Sequence, residues 1–346
     1  MYVPYFSLPL LVIFTTIYRY AMDISQVFIR DIDITSEGHK RYLSSYGRAL
    51  NGVMDSVRKV GLINPVLIKK NPGFNTMHTT ICGYQRILAF QKLGLKSIAA
   101  RIVVGFTDEE LLLMSLHDNL FSRGFHDIEK AIILKNFREI GYTNKRLLTE
   151  IAPLLRIPLK EKMVERYFSL LQLESEVIDS VAKEELELDK AFLLIPLEET
   201  ERNCVHNLLY KETRTNVNEA KETLRNLLDL KQIKQTGIPE LLKIKVIRDI
   251  LDNKRTNKRQ KGEGLYRLIK HMRYPTISKK EAEFARSIKE LGLGNSVRIN
   301  HAPFFEKDEV QITIKSSDEE NLKNHLERVL SHVHVGSFKN ILPDNG

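Results

Sequence analysis

The chain has 346 residues, 42% of them hydrophobic and 28% charged, which suits two or three globular domains and excludes wholesale disorder. Lysine and arginine exceed aspartate and glutamate by 53 to 44, and this surplus of +9 favours a polyanionic partner, nucleic acid or acidic membrane. Two cysteines, Cys82 and Cys204, cannot build a disulfide framework or a multi-cysteine zinc site, and no Walker A loop, Gly-x-Gly-x-x-Gly loop or His-Glu-x-x-His helix occurs.

Residues 2–18 carry no charge before Arg19, yet they are short for a spanning helix and contain Pro4 and Pro9. No basic residue precedes the apolar run, as a signal peptide would require. The polar, alternating text from Asp23 reads as an ordinary protein start. Residues 1–21 are therefore expected to be an extension upstream of Met22, with a membrane anchor over residues 2–18 as the alternative.

From Met22 to about residue 140 the pattern mixes strands and helices. Val27–Ile34 alternates as a half-buried strand, and Leu50, Val53, Met54, Val57 and Val60 recur at helical spacing within Ser45–Val60. Gly61 ends that helix, and Pro65–Lys69 reads as a strand before the turn at Asn71-Pro72-Gly73. Met77–Cys82 predicts a third strand, Gln85–Lys92 a helix, Ile98–Val104 a strand, and Asp108–Asn119 a helix with acids in its first turn. The stretch 126–250 is helical by pattern, including Asp127–Ile140, Asn144–Leu155, Leu159–Leu171 and Glu174–Lys183. Lys254–Arg273 holds eight lysines and arginines against one glutamate and reads as a basic connector, either simply solvated or neutralising phosphate. A helix at Lys279–Leu291, strands at Ser296–Asn300 and Glu309–Lys315, and a helix at Asp318–Val329 close the pattern. Ser317 and Glu320 form a capping-box pair at the start of that last helix. Phe304 and Phe305 are expected in its core or interface. So small a strand–strand–helix unit buries little by itself, which points to pairing with a second copy.

Three short runs carry the chemistry. Gly61-Leu62-Ile63-Asn64-Pro65-Val66 joins a helix end to a strand, and Cys82-Gly83-Tyr84-Gln85-Arg86 joins a strand to a helix start. Asp118-Asn119-Leu120-Phe121-Ser122-Arg123 ends a helix. A glycine at a strand-to-helix turn lets backbone N–H groups face an anion, with a nearby arginine adding charge-assisted bonds. Asp118 and Asn119 offer oxygen ligands to a magnesium ion bridging phosphates. The residues alone equally describe a glycine turn with capping polar side chains.

In this order the runs resemble the ParB/RepB partition-protein family, whose N-terminal domain shares its fold with sulfiredoxin. The match runs through Gly61–Pro65, Gly83-Tyr84-Gln85-Arg86, Asp118-Asn119 and the helix start Asp127-Ile128-Glu129-Lys130-Ala131, within about residues 23–194. The resemblance implies an α+β chain: a ParB/sulfiredoxin-like domain over 22–125 and an all-α helix-turn-helix domain over 126–250. A basic linker follows at 251–274, then a ββα dimerisation unit at 275–335. It also implies CTP with magnesium in the pocket, double-stranded DNA and a partition ATPase as partners, a homodimer, and a cytoplasmic, nucleoid-associated location. Gly83 and Arg86 would hold phosphates, Asn119 would sit at the metal with Asp118, and Gly61–Pro65 would lie near the base. Tyr84, Gln85 and Arg123 complete the nucleotide set. Tyr84 and Gln85 stand where the family has an acid and an arginine, and Ser122 takes the register position of its last arginine, with Arg123 one place on. Losing a carboxylate and a cation argues against hydrolysis. A transcription regulator with a vestigial pocket is the alternative, and an enzyme of this fold ranks last for want of a general base. Sulfiredoxin chemistry needs a cysteine directly after the glycine, where Tyr84 stands.

The helix-turn-helix lies at Asn144–Leu173, with Leu147, Leu148, Ile151 and Leu154 inward and the second helix over Leu159–Leu171. Lys145, Arg146, Arg156, Lys160, Lys162 and Arg166 are the expected DNA contacts. By periodicity alone the segment is equally a helical hairpin with solvated lysines. His332 and His334 lack partners for a metal site, and Tyr266, Tyr274 and Phe284 read as packing residues.

Overall fold

The computed structural model describes residues 23–34, 41, 42, 44–73, 77–122, 124–302, 305, 306 and 309–342. Residues 1–21, Arg123 and Phe304 lie outside them. Contacts cluster into two compact units dividing at Pro196 and Leu197, whereas the resemblance implied boundaries at 125 and 250.

The first unit is built on a five-stranded sheet. Its strands are β1 (Ile24–Phe28), β2 (Ile32–Asp33), β3 (Val66–Lys69), β4 (His78–Cys82) and β5 (Ser97–Val103), in the order β1-β5-β3-β4-β2. β5 pairs antiparallel with β1 and parallel with β3; β4 pairs antiparallel with β3 and parallel with β2. The single strand expected over Val27–Ile34 is interrupted by a 3-10 turn at Ile29–Asp31, so its two halves join opposite edges of the sheet. Helices α1 (Asn51–Val60), α2 (Tyr84–Lys92) and α3 (Asp108–Ser122) connect the strands. Helix α1 begins six residues later than the apolar spacing suggested, leaving 44–50 as an irregular strap.

Alternation along the strands gives the sheet two buried faces. Val27, Val66, Ile68, Ile98 and Ala100 pack with Ile87 and Phe90 of α2. Ile81, Cys82 and Val103 pack instead with Leu111, Leu112 and Leu116 of α3. That second core continues into helices α4 (Asp127–Glu139), α5 (Asn144–Arg146) and α6 (Glu161–Leu170) through Leu134, Phe137, Leu147, Ile151, Val164 and Tyr167. Helix α5 runs on as a π-turn at Leu147–Ile151. The sheet and helices α4 to α6 thus share one core. Helices α7 (Ser175–Ala182) and α8 (Leu188–Leu194) complete this unit.

The second unit holds α9 (Glu199–His206), α10 (Val217–Lys234), α11 (Ile238–Leu242), α12 (Lys245–Leu251), α13 (Lys258–Arg273) and α14 (Pro275–Leu291). The hairpin β6 (Val297–His301) and β7 (Val310–Ile314) and helix α15 (Glu319–His334) follow. The segment expected to be a linker at 251–274 is largely helix α13. Its charges hide an inner stripe: Gly262, Leu265 and Ile269 are buried, and Asn257 caps the helix reciprocally with Gln260. Asp318, not Ser317, caps α15, accepting the Asn321 N–H at 2.8 Å, while the Ser317 hydroxyl donates to Asp318. A carboxylate is the stronger acceptor for an N-terminal amide, which explains the one-residue shift.

Candidate functional site

The end of β4 turns into α2 through Gly83, whose φ of +93° belongs to the left-handed region. A Cβ at that position would stand 2.7 Å from Val66 Cγ1 and 3.0 Å from the Arg86 Nε and Nη2. Glycine is therefore required twice, by backbone and by space. The first amides of α2, on Tyr84, Gln85 and Arg86, precede the intrahelical ladder, and these three residues line a cavity of about 640 Å³.

That cavity is lined by Gly61, Gly83, Tyr84, Gln85, Arg86, Asp118 and Asn119. Residues from three separate runs of the sequence thus meet in one place. Pro65 lies beside it rather than in it, on a neighbouring cleft of about 390 Å³, and its carbonyl accepts from Arg86 Nη1 at 3.2 Å. Arg86 also donates to the Asn64 carbonyl at 2.6 Å and stands 3.6 Å from the Asp118 carboxylate. The turn at Gly61–Pro65 is therefore held by the arginine expected to hold phosphate. Arg123 lies outside the described residues.

Sequence reasoning missed part of the lining. Val53 and Val57 of α1 face the cavity, so a helix with core-like spacing has no buried residue. The strap contributes Ser44, Ser45, Arg48 and Ala49. It is pinned on its other side: Arg48 Nε and Nη2 donate to the two oxygens of Glu129 at 2.8 and 2.5 Å. The Tyr46 hydroxyl donates to Asp179 at 2.7 Å, and His126 Nε2 meets the Tyr46 carbonyl at 2.9 Å. The Glu129 side chain is fully buried and reciprocally caps α4 with His126, so its carboxylate requires the arginine. No local signal marked Arg48, since its partner is eighty-one residues away.

Cys82 lines the cavity floor, and burial pushes its thiol up to about 12, an inert state at neutral pH. The buried Gln85 Oε1 has no hydrogen-bond partner, while its Nε2 donates to the Ser45 hydroxyl at 3.4 Å. An orphaned acceptor beside the open cradle at Gly83 fits a polar ligand that donates to it. Asn119 Nδ2 donates to the Ser115 carbonyl at 2.9 Å, and Asp118 is about half exposed. Among the described residues no group of three His, Cys, Asp or Glu side chains could hold a metal. A magnesium ion at Asp118 and Asn119 would need phosphate and water oxygens to complete its shell.

In the helix-turn-helix segment, Leu147 and Ile151 are buried and Leu148 and Leu154 partly so. Lys145, Arg156, Lys160 and Lys162 are exposed, and Arg166 is half-buried with its guanidinium 5.0 Å from the Phe192 ring centre. Arg146, also an expected DNA contact, is engaged within the fold. It donates to Glu109 and Glu150, each at 2.9 Å, and covers the Tyr142 ring at 3.7 Å. This cluster holds Glu109 and Glu150 below the usual carboxylate range, chiefly through the arginine's hydrogen bonds. Among the described residues no helix is long and apolar enough to cross a membrane.

Residues 23–120 match the family model described as the ParB N-terminal domain, and they span the sheet, Gly83 and Asp118. This stretch of the chain is thus a ParB N-terminal domain. No curated protein matches the chain. Among solved structures it is similar to the C-terminally truncated chromosome-partitioning protein ParB from Caulobacter crescentus complexed with CTP-gamma-S. That likeness has 19% identity over 51% of this chain and 94% of the other, with a TM-score of 0.25. The same protein complexed to the centromeric parS site gives 16% identity, 58% and 98% coverage, and a TM-score of 0.35. Sulfiredoxin from Arabidopsis thaliana gives 25% identity, 27% and 97% coverage, and a TM-score of 0.19. TM-scores this low carry no argument of their own, and the assignment rests on the family model.

Proposed function

We propose that this chain is a ParB-family, DNA-binding partition protein whose sheet-side cavity takes CTP with magnesium, closing a dimer on DNA. The observation that carries the reading is the convergence of Gly61, Gly83–Arg86, Asp118 and Asn119 on one cavity of nucleotide size. In it, the first amides of α2 and Arg86 meet phosphate, Asp118 and Asn119 meet the metal, and the Gly61–Pro65 turn lies near the base. Tyr84 and Gln85 leave no acid and no second arginine in that box, so turnover is slow or nil. Duplex DNA is contacted by Lys145, Arg156, Lys160, Lys162 and Arg166 around α6, whose N-terminal end enters the major groove. A second copy joins along α15, where Leu322, Leu326, Leu330 and Val333 lie 39–52% exposed on one face. The setting is the nucleoid, with a partition ATPase as the further partner.

One observation favours a second reading, a transcription regulator with a vestigial pocket. Both described cations of the cavity already carry partners: Arg86 holds Asp118 and two carbonyls, and Arg48 holds Glu129. Calorimetric titration of the chain with CTP, ATP, GTP and UTP in magnesium separates the two. The expected result is selective CTP binding that Arg86→Ala abolishes, with binding to short duplexes retained. Intact nucleotide affinity in that variant removes the pocket assignment. Absence of binding in the unaltered chain, with or without DNA, puts the regulator reading first.

A further inference from the structure

The stretch Lys254–Lys261 has five cations in eight residues and no acid. Its sequence reads equally as a solvated tether, but the structure fixes it in place. The turn after α12 leads into α13 through the Asn257 cap, and the Arg214 N–H donates to the Lys258 carbonyl at 2.8 Å. This joins the turn before α10 to the start of α13. Gly262 makes the approach feasible, because a Cβ there would stand 2.7 Å from the Arg214 carbonyl oxygen. Two basic turns thus form one ordered surface.

The neighbouring carboxylates are already committed. Arg248 pairs with Glu212 at 3.0 Å and also with Asp252, and Arg259 pairs with Glu219 at 2.5 Å and Glu263 at 2.9 Å. Lys261 turns inward to the Leu251 carbonyl. Two arginines therefore engage all four of these acids, so each carboxylate already has an ion-pair partner. Arg214, Lys254, Arg255 and Lys258 are all exposed and have no ion-pair partner among the described residues, Lys258 making only a long 3.5 Å bond to the Tyr210 carbonyl. The arrangement isolates positive charge on a rigid turn while the acids that would cancel it are held elsewhere.

We propose that the second unit carries its own phosphate-binding surface for duplex DNA, made by Arg214, Lys254, Arg255 and Lys258. It grips the backbone without reading bases, since arginine and lysine heads on a convex turn reach phosphates. The inference shares its ligand with the proposed function but needs neither the nucleotide pocket nor α6. DNA is favoured over an anionic lipid surface because Arg214, Lys254 and Arg255 stand on polar turns, Thr213–Asn216 and Asp252–Asn257, that offer no large apolar side chain for insertion, and Lys258 opens α13 directly after the second turn.

The test is fluorescence anisotropy of the full chain with a scrambled duplex of about 24 base pairs over a salt series. Four versions are compared: unaltered; R214A/K254A/R255A/K258A; R214K/R255K; and K160A/K162A in α6. At about 0.9 per phosphate contact, the fourfold variant should lose about 3–4 from the slope of log affinity against log salt, with at least a tenfold weaker Kd. The conservative double variant should retain binding, which separates charge from folding. An unchanged slope in the fourfold variant overturns the surface. If only the α6 variant weakens binding, this inference falls and the helix-turn-helix reading stands; if only the fourfold variant does, the reverse holds. No duplex binding by the unaltered chain sinks both. Binding to phosphatidylserine vesicles that the fourfold change abolishes, with duplex binding intact, replaces DNA by membrane and overturns the proposal.

Discussion

Gly83 concentrates the demands of the site in one residue. Its φ of +93° costs any other L-residue about 1–2 kcal/mol, and Val66, against which a Cβ would press, is itself fully buried. Overpacking of that kind adds about 1–3 kcal/mol. Gly83→Ala should therefore destabilise the first unit by roughly 2–5 kcal/mol. It should also displace Arg86, weakening nucleotide affinity at least tenfold. Differential scanning calorimetry and titration of the same preparation check both effects, and an unchanged midpoint would refute the steric account. Arg48 and Glu129 make a contrasting case. There the buried partner is the acid, and the pair ties the cavity strap to the start of α4 rather than adding net stability.

Among the elements, the turn between α5 and α6 holds an instructive strain. Ile157 N–H bonds the Ala152 carbonyl at 2.9 Å and Arg156 N–H bonds the Pro153 carbonyl at 3.1 Å, the double bond of a Schellman end. The left-handed position within it is occupied by Arg156, with φ of 55°, where glycine is usual. A non-glycine residue there costs about 1–2 kcal/mol, a sacrifice consistent with a cation held at a DNA contact. Arg156→Gly should raise stability by about 1 kcal/mol in denaturant titration while lowering duplex affinity several-fold. Stability that falls instead would show that the arginine side chain packs more than it strains. Helix α13 illustrates the opposite imbalance between pattern and outcome. Its charge dominated the sequence reading, yet three small or apolar residues decide its place against the rest of the second unit.

For the whole molecule, the continuity of the second core matters most within the first unit. Leu111 and Leu116 behind the cavity, Phe137 of α4 and Val164 of α6 belong to one buried cluster. Packed interiors transmit displacement, so a ligand that moves Asp118 or Asn119 on α3 acts on the elements proposed to touch DNA. In the second unit, the exposed leucines of α15 leave a small hairpin-and-helix core incomplete. Leu326→Glu with Leu330→Glu should convert a dimer to a monomer in sedimentation experiments. The buried core residues Val297, Ile299 and Val329 are untouched, so the circular dichroism spectrum should hold. A dimer that survives both charges would place the interface elsewhere.

Strand periodicity, glycine punctuation and the four short boxes were sufficient to foresee most of the sheet elements, the order of the helices and seven of the residues that line the cavity. Those are local signals: backbone conformation at Gly83, alternation along β3 to β5, and apolar spacing in α3 and α4. What no local signal could supply was which charges meet. Arg48 reaches Glu129 and Arg146 reaches Glu109 across long stretches of chain, and α1 lends Val53 and Val57 to a cavity lining while burying no residue fully. The same holds for Lys254–Arg273, whose charge is written in the sequence but whose free and paired cations are sorted only by the carboxylates folded beside them. Composition determined that this protein is basic and its backbone pattern determined that it begins with an α+β domain. Tertiary packing decided where the positive charge is spent and where it remains open, because electrostatic partners are set by distance in space.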